Sequence, residues 1–189
     1  MSLKHALLGF LELVPLSGYD LKKALDGSVQ HFWPADQAQI YRTLSRLHDD
    51  GLVSVDVVEQ TDRPDRKVYH ITPNGRAELH SWLAQPLPPT NEREPLLVRI
   101  FFSGFLDDAA LLPLLTAAAQ QEDAYLAQLH AILADARQRM QAVTDPARQR
   151  IGFFQMLTIE RAILHQQAQI AWLQSLAQRL QDHNLTLSV

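Results

Sequence analysis

At 189 residues, with 47% apolar content and no cysteine, the chain can form one or two small domains with a real core. A disulfide framework and a thiolate metal site are both excluded. The formal charge is −4, and residues 1–85 alone carry nine Lys plus Arg against eleven Asp plus Glu, a net −2. This excludes attraction of nucleic acid by bulk charge, so any such contact must come from a local basic patch, doubled by dimerisation. The opening MSLKHALLGFLELVPLSGYD lacks the long apolar core and small-residue cleavage site of a signal peptide. No run approaches the length needed to span a bilayer, and the expectation is a cytoplasmic protein with no membrane partner.

Leu3, Leu7, Leu8 and Leu11, with Phe10 and Val14 beside them, predict a first helix over residues 3–13, ended by Pro15. Ser17-Gly18 reads as a turn, with Ser17 the N-cap of a second helix over 19–25 that turns Leu21 and Leu25 inward. Asp26-Gly27 stops it. After the apolar connector His31-Phe32-Trp33-Pro34, Asp36 caps a third helix ending at Asp50-Gly51. Its residues Ile40, Leu44 and Leu47 recur at i, i+4 and i+7, an apolar face for packing. The opposite face carries Gln37, Ala38, Gln39, Arg42, Ser45 and Arg46, which are small, amide-bearing or cationic. Amides read adenine edges and Arg reads guanine edges in a major groove, so this face suits DNA.

Two alternating runs follow at once, residues 53–60 and 67–72, joined by the turn-rich tip Thr61-Asp62-Arg63-Pro64-Asp65-Arg66. A helix followed directly by a hairpin with a basic tip is the layout of a winged helix-turn-helix. Thr72-Pro73 opens a fourth helix, a hydroxyl cap followed by proline, with Leu79, Trp82 and Leu83 on one side. The stretch from Gln85 to Thr90 is dense in proline and reads as a stiff connector between domains.

The second half changes character. Residues 94–105 form an apolar segment read as a short helix. From Asp107-Asp108 to about Val143, Leu115, Ala119, Glu122, Leu126, Leu129, Leu133, Ala136, Met140 and Val143 alternate four and three apart. This is coiled-coil spacing, broken only by Glu122. Asp145-Pro146 starts a last long helix to about Gln181, in which Met156, Ile159, Ile163, Gln166, Ile170, Leu173, Ala177 and Leu180 repeat the spacing. A second apolar row, Phe153, Leu157 and Leu164, lies alongside. Two apolar faces exceed what a lone hairpin of helices can cover, so a second copy of the chain is expected to cover the rest.

Six short strings, in order, resemble the PadR family of bacterial transcriptional regulators. They are Leu8-Gly9-Phe10-Leu11, Leu16-Ser17-Gly18-Tyr19-Asp20-Leu21, the run Gln39 to Leu47, Asp50-Gly51-Leu52-Val53, the run Arg63 to Tyr69, and Ile71-Thr72-Pro73-Asn74-Gly75. The segment REPLLVRIFFSGFL at 93–106 is similar to the start of the helical C-terminal domain of the longer members. The resemblance implies a homodimeric winged-helix repressor joined through its C-terminal helices. It further implies a palindromic double-stranded operator and release by stress or by a small, often aromatic or phenolic, effector. Where many members have proline after the third-helix tyrosine, this chain has Arg42.

The fold expected is therefore mainly α: a winged helix-turn-helix of three to four helices plus a two-stranded wing over 1–85, a Pro-rich linker over 86–92, and a long-helix dimerisation and effector domain over 93–189. DNA contact is assigned to Gln37, Gln39, Tyr41, Arg42, Ser45 and Arg46 on the third helix, and to Arg63, Arg66 and Lys67 at the wing. For the wing the other reading is an ordinary hairpin tip, since Asp62 and Asp65 lie among its cations. An effector site is sought among Trp33, Phe154, Arg161, His165 and Trp172, the last three at helical spacing and suited to a carboxylate-bearing aromatic. Against it stands the plain reading that the aromatics are core and the polar pair faces water or the other subunit. The eight histidines show no metal-ligand spacing, and neither a glycine-rich phosphate loop nor a nucleophile elbow is present, so no catalytic residue, metal or cofactor is expected. A winged module that binds protein instead of DNA is the competing function, favoured by the negative charge of residues 1–85. An activator would share the DNA chemistry and differ only in promoter placement.

Overall fold

Helix α1 (Leu3–Leu13) buries Leu7, Leu8 and Leu11, the heptad-like stripe its sequence sets on one side. These residues come from a computed structural model that describes residues 3–30, 32–59, 66–86 and 93–186. Strand β1 (Leu16–Ser17) leads directly into α2 (Gly18–Asp26), where Ser17 caps the helix and Asp20 reaches back to complete a capping box. Helix α3 (Gln37–Asp49) has the same device, with Asp36 as cap and Gln39 reaching back. Gly51, at φ +67°, adopts the left-handed conformation that lets the chain leave α3 and enter β2 (Val53–Val58) at once. Strand β3 (Arg66–Ile71) returns antiparallel to β2, with Val53 opposite Ile71 and Val58 opposite Arg66.

The sheet has three strands in the order β1-β3-β2, one more than the two-stranded wing read from the sequence. Leu16 pairs with Tyr69 and Ser17 with Val68. Two residues are too short to show alternation, and the proline before them masks the extended backbone. Helix α4 (Pro73–Leu83) starts on the Thr72 cap, as the hydroxyl-then-proline rule requires. A Cβ on Gly75 would lie 2.1 Å from the Leu52 carbonyl oxygen, so only glycine lets α4 seat against the α3–β2 turn. Of the apolar side expected on α4, Leu79 is buried and Trp82 stacks on His5 at 4.5 Å, whereas Leu83 is exposed. One core joins these elements: Leu7, Leu8, Leu21, Leu25, Ile40, Leu44 and Leu47 are almost wholly inaccessible. Each such side chain contributes about 1.5–3 kcal/mol relative to exposure.

The chain divides into two compact units, residues 1–90 and 91–189. Residues 87–92, most of the expected linker, lie outside the described residues. The second unit opens with α5 (Pro95–Phe101) and a single 3-10 turn, Ser103–Phe105, where the sequence suggested one continuous short helix. Helices α6 (Asp108–Gln141) and α7 (Pro146–Gln181) then run antiparallel. Leu111, Leu115 and Ala119 pack with Leu173 and Leu180 at one end, and Leu129 and Leu133 pack with Ile159 and Ile163 at the other. Between the two clusters sits the polar break foreseen at Glu122, which accepts a hydrogen bond from the buried Gln166 amide. The second row of α7, Phe153, Leu157 and Leu164, is exposed, as are Phe101, Phe102 and Phe105.

Candidate nucleic-acid interface

The outer face of α3 is fixed by its inner one. With Ile40, Leu44 and Leu47 buried, helix geometry leaves Gln37, Ala38, Gln39, Tyr41, Arg42, Ser45 and Arg46 exposed together. Gln39 is only half available, because its side-chain oxygen accepts from the Asp36 backbone N–H (3.3 Å) while the Asp36 carboxylate accepts from the Gln39 N–H (2.7 Å). Its amide NH2 is left as a donor. Tyr41 leans toward α2: a Cβ on Gly18 would lie 2.5 Å from its ring, so the glycine of the Ser-Gly-Tyr-Asp string is a close-approach residue. Nearby, burial first and then Tyr41 hold the Tyr69 phenol above its ordinary value.

Charge pairing separates this face from the rest of the unit. Lys4 binds Glu78 (2.6 Å), Lys22 binds Asp26 (2.5 Å), Arg66 binds Asp20 (2.5 Å) and Arg76 binds Glu12 (2.9 Å). Arg42, Arg46, Lys23 and Lys67 have no ion-pair partner among the described residues. An acidic unit has thus neutralised cations elsewhere and left unpaired ones on α2, α3 and the wing strand β3.

The wing residues divide. Arg63 lies outside the described residues. Lys67 is exposed on β3, opposite Val57. Arg66 instead straps β3 to the start of α2 through the same Asp20 oxygen that receives the Ser17 hydroxyl (2.6 Å). The Ser17 hydrogen bond first, and Arg66 after it, outweigh partial burial and hold the Asp20 carboxyl below its ordinary value. Sequence reasoning missed Asp20 and Gly18 as parts of this face. Both stand in the string that carries the family resemblance, which was the available signal.

Trp33 lies in the connector before α3, its backbone N–H donating to the Val29 carbonyl (2.7 Å). It borders an open hollow with Pro34 and Leu3 on one side and Arg42 and Arg46 on the other. The other proposed effector residues belong to the second unit. Phe154, Arg161, His165 and Trp172 follow one another along an exposed stripe of α7, with the Arg150 guanidinium 5.0 Å from the Phe154 ring centre. Among the described residues no helix is long and apolar enough to cross a membrane, and no group of three or more His, Asp and Glu is placed to hold a metal ion.

A three-helix unit with a small sheet, an outward cationic helix face and a long helical second unit defines a winged-helix DNA-binding transcription regulator. The chain belongs to the transcriptional regulator PadR-like family, whose pattern it matches over residues 7–81, and residues 92–181 match the family described as virulence activator alpha C-term. It is similar to the probable transcriptional regulator Rv1176c of Mycobacterium tuberculosis, 33% identical over 96% of this chain and 99% of that protein. The negative transcriptional regulator PadR of Bacillus subtilis is 29% identical, covering 92% of this chain and 94% of that one. Solved in complex with operator DNA, Bacillus subtilis PadR gives a TM-score of 0.82 at 26% identity, covering 94% and 98% of the two chains. It has also been solved with p-coumaric acid, where the TM-score is 0.75 at 25% identity and each chain is covered to 95%. The virulence activator AphA of Vibrio cholerae gives 0.75 at 27% identity, covering 96% and 99%.

Proposed function

We propose that the chain is an effector-responsive repressor that binds a palindromic operator as a homodimer in the cytoplasm. Two copies of α3 enter successive major grooves about 34 Å apart, and the wings lie on the flanking backbone. Arg42 and Arg46 read or grip the groove, helped by Gln37, Gln39 and Ser45, while Tyr41, Arg63, Arg66 and Lys67 reach phosphates. The observation that carries this reading is the selective pairing of charges. In a unit whose remaining cations are largely matched to carboxylates, Arg42 and Arg46 stand unpaired on the face that points away from the core.

The exposed rows of α7 and α5 support dimerisation through the C-terminal helices, since an isolated copy leaves several large apolar side chains in water. An effector acts by changing the distance or angle between the two reading heads. Because operator binding needs both half-sites together, a small change there loses most of the affinity. The likeness to AphA favours activation as a second reading, with the same DNA contacts and a different promoter position.

Arg42→Ala with Arg46→Ala tests the assignment. Specific binding to the DNA upstream of the gene should fall by at least a hundredfold, about 1–3 kcal/mol for each reading arginine in each half-site, while the dimer stays intact. Unchanged DNA binding by the double variant contradicts it and favours a winged module that binds protein.

A further inference from the structure

We propose that the hollow between Trp33 and α3 is a binding site for a planar aromatic carboxylate, which excludes DNA by occupying Arg42 and Arg46. The hollow is open and holds about 430 Å³. Arg42 and Arg46 stand one turn apart on α3, so two guanidiniums border one space. No carboxylate lines it, and neither arginine has an ion-pair partner among the described residues. The net charge presented to a guest is therefore positive, and the guest is an anion.

The other wall sets its shape. Trp33 is held by its backbone bond to Val29, with Pro34 and Leu3 beside it, giving an apolar back to a cationic mouth. An indole and two guanidiniums all present flat faces, against which a planar ring stacks better than a puckered one. A carboxylate on that ring takes charge-assisted hydrogen bonds from the arginines. Gln39 and Thr43 complete the lining; the Thr43 hydroxyl already donates to the Gln39 carbonyl (2.8 Å), which leaves the Gln39 amide NH2 as a donor to a ring substituent. A duplex lying on α3 meets the arginines at the rim and has no group to fill the apolar back. One ring acid fills both.

The site itself does not depend on the regulator reading; only its consequence does, because the guest and the operator require the same two side chains. Control would then be direct competition at the reading helix, separate from any change in the spacing of the two heads.

Calorimetric titration of the full-length protein without DNA, using salicylate as the probe, tests the site. Salicylate should bind at least about tenfold more tightly than cyclohexanecarboxylate, an anion of similar size without a flat ring. Trp33→Leu and, separately, Arg46→Gln should each weaken salicylate by about tenfold or more. In wild type the apparent Kd for operator DNA should rise in proportion to salicylate, and in Trp33→Leu it should not. Absence of salicylate binding, or an affinity unchanged in both variants, overturns the proposal. Salicylate binding that needs Trp33 and Arg46 in a protein that binds no DNA would uphold the site while removing the regulator reading. Operator binding insensitive to salicylate, with both variants still taking the ligand, would do the reverse.

Discussion

Asp20 receives three donors at once: the Ser17 hydroxyl, the Ser17 backbone N–H at 3.3 Å and the Arg66 guanidinium. It caps α2 and anchors β3, so one carboxylate fixes the wing strand against the helix that precedes the reading helix. Its folded pKa is lowered from 3.8. The ionised form is therefore the one the fold favours, and its contribution is full above the unfolded value and lost as pH falls through the lowered folded value. Asp20→Asn should lower the melting temperature at neutral pH, and the gap to wild type should close as pH falls below about 3.8. A gap that stays constant into acid would show that the charge of Asp20 contributes nothing. The sequence offered Arg66 as a phosphate ligand because a cation at a hairpin tip usually faces solvent. Asp20, 46 positions earlier, competes for it, and such a tertiary pairing leaves no trace in local spacing.

Among the elements, those with long periodic faces were readable in advance. Helix α3 announced its cap, its three buried residues and its outer face, because 3.6-residue periodicity and a capping box are local properties. The seam of α6 and α7 was equally plain, down to its polar interruption. Gln166, placed in the seam by spacing alone, answers Glu122 across the hairpin. Elements fixed by their neighbours were hidden: β1 exists because β3 offers it an edge, and the apolar run after Glu94 breaks into a helix and a turn. The exposed row of α7 was legible as an excess of apolar faces, but only a folded hairpin reveals that Phe153, Leu157 and Leu164 are left uncovered at 54%, 38% and 59% exposure. Replacing Leu157 and Leu164 together by Glu should convert a dimer to a helical monomer in sedimentation velocity, since buried unpaired carboxylates oppose association. A dimer of undiminished affinity would place the interface elsewhere.

At the scale of the whole molecule, the net charge of −4 and the DNA-binding assignment are compatible only if charge is organised locally. The structure supplies that organisation within the winged unit. Lys4, Lys22, Arg66 and Arg76 are matched to Glu78, Asp26, Asp20 and Glu12, and the unpaired Arg42 and Arg46 share one helix face. Such a molecule should bind random DNA weakly and its operator well, because little of its affinity comes from bulk attraction. The same local design explains why composition alone pointed the wrong way. A count of charges has no record of which are cancelled.

The most direct test of the central claim is fluorescence-anisotropy binding to DNA from upstream of the gene, in excess competitor DNA, over a salt series, for wild type and for Arg42→Ala with Arg46→Ala. The account predicts saturable binding by wild type with a steep fall of log affinity against log salt, about −0.9 for each phosphate contact, and loss of specific binding in the double variant. Equal specific binding by the two proteins, or a wild-type affinity indifferent to salt, would contradict it.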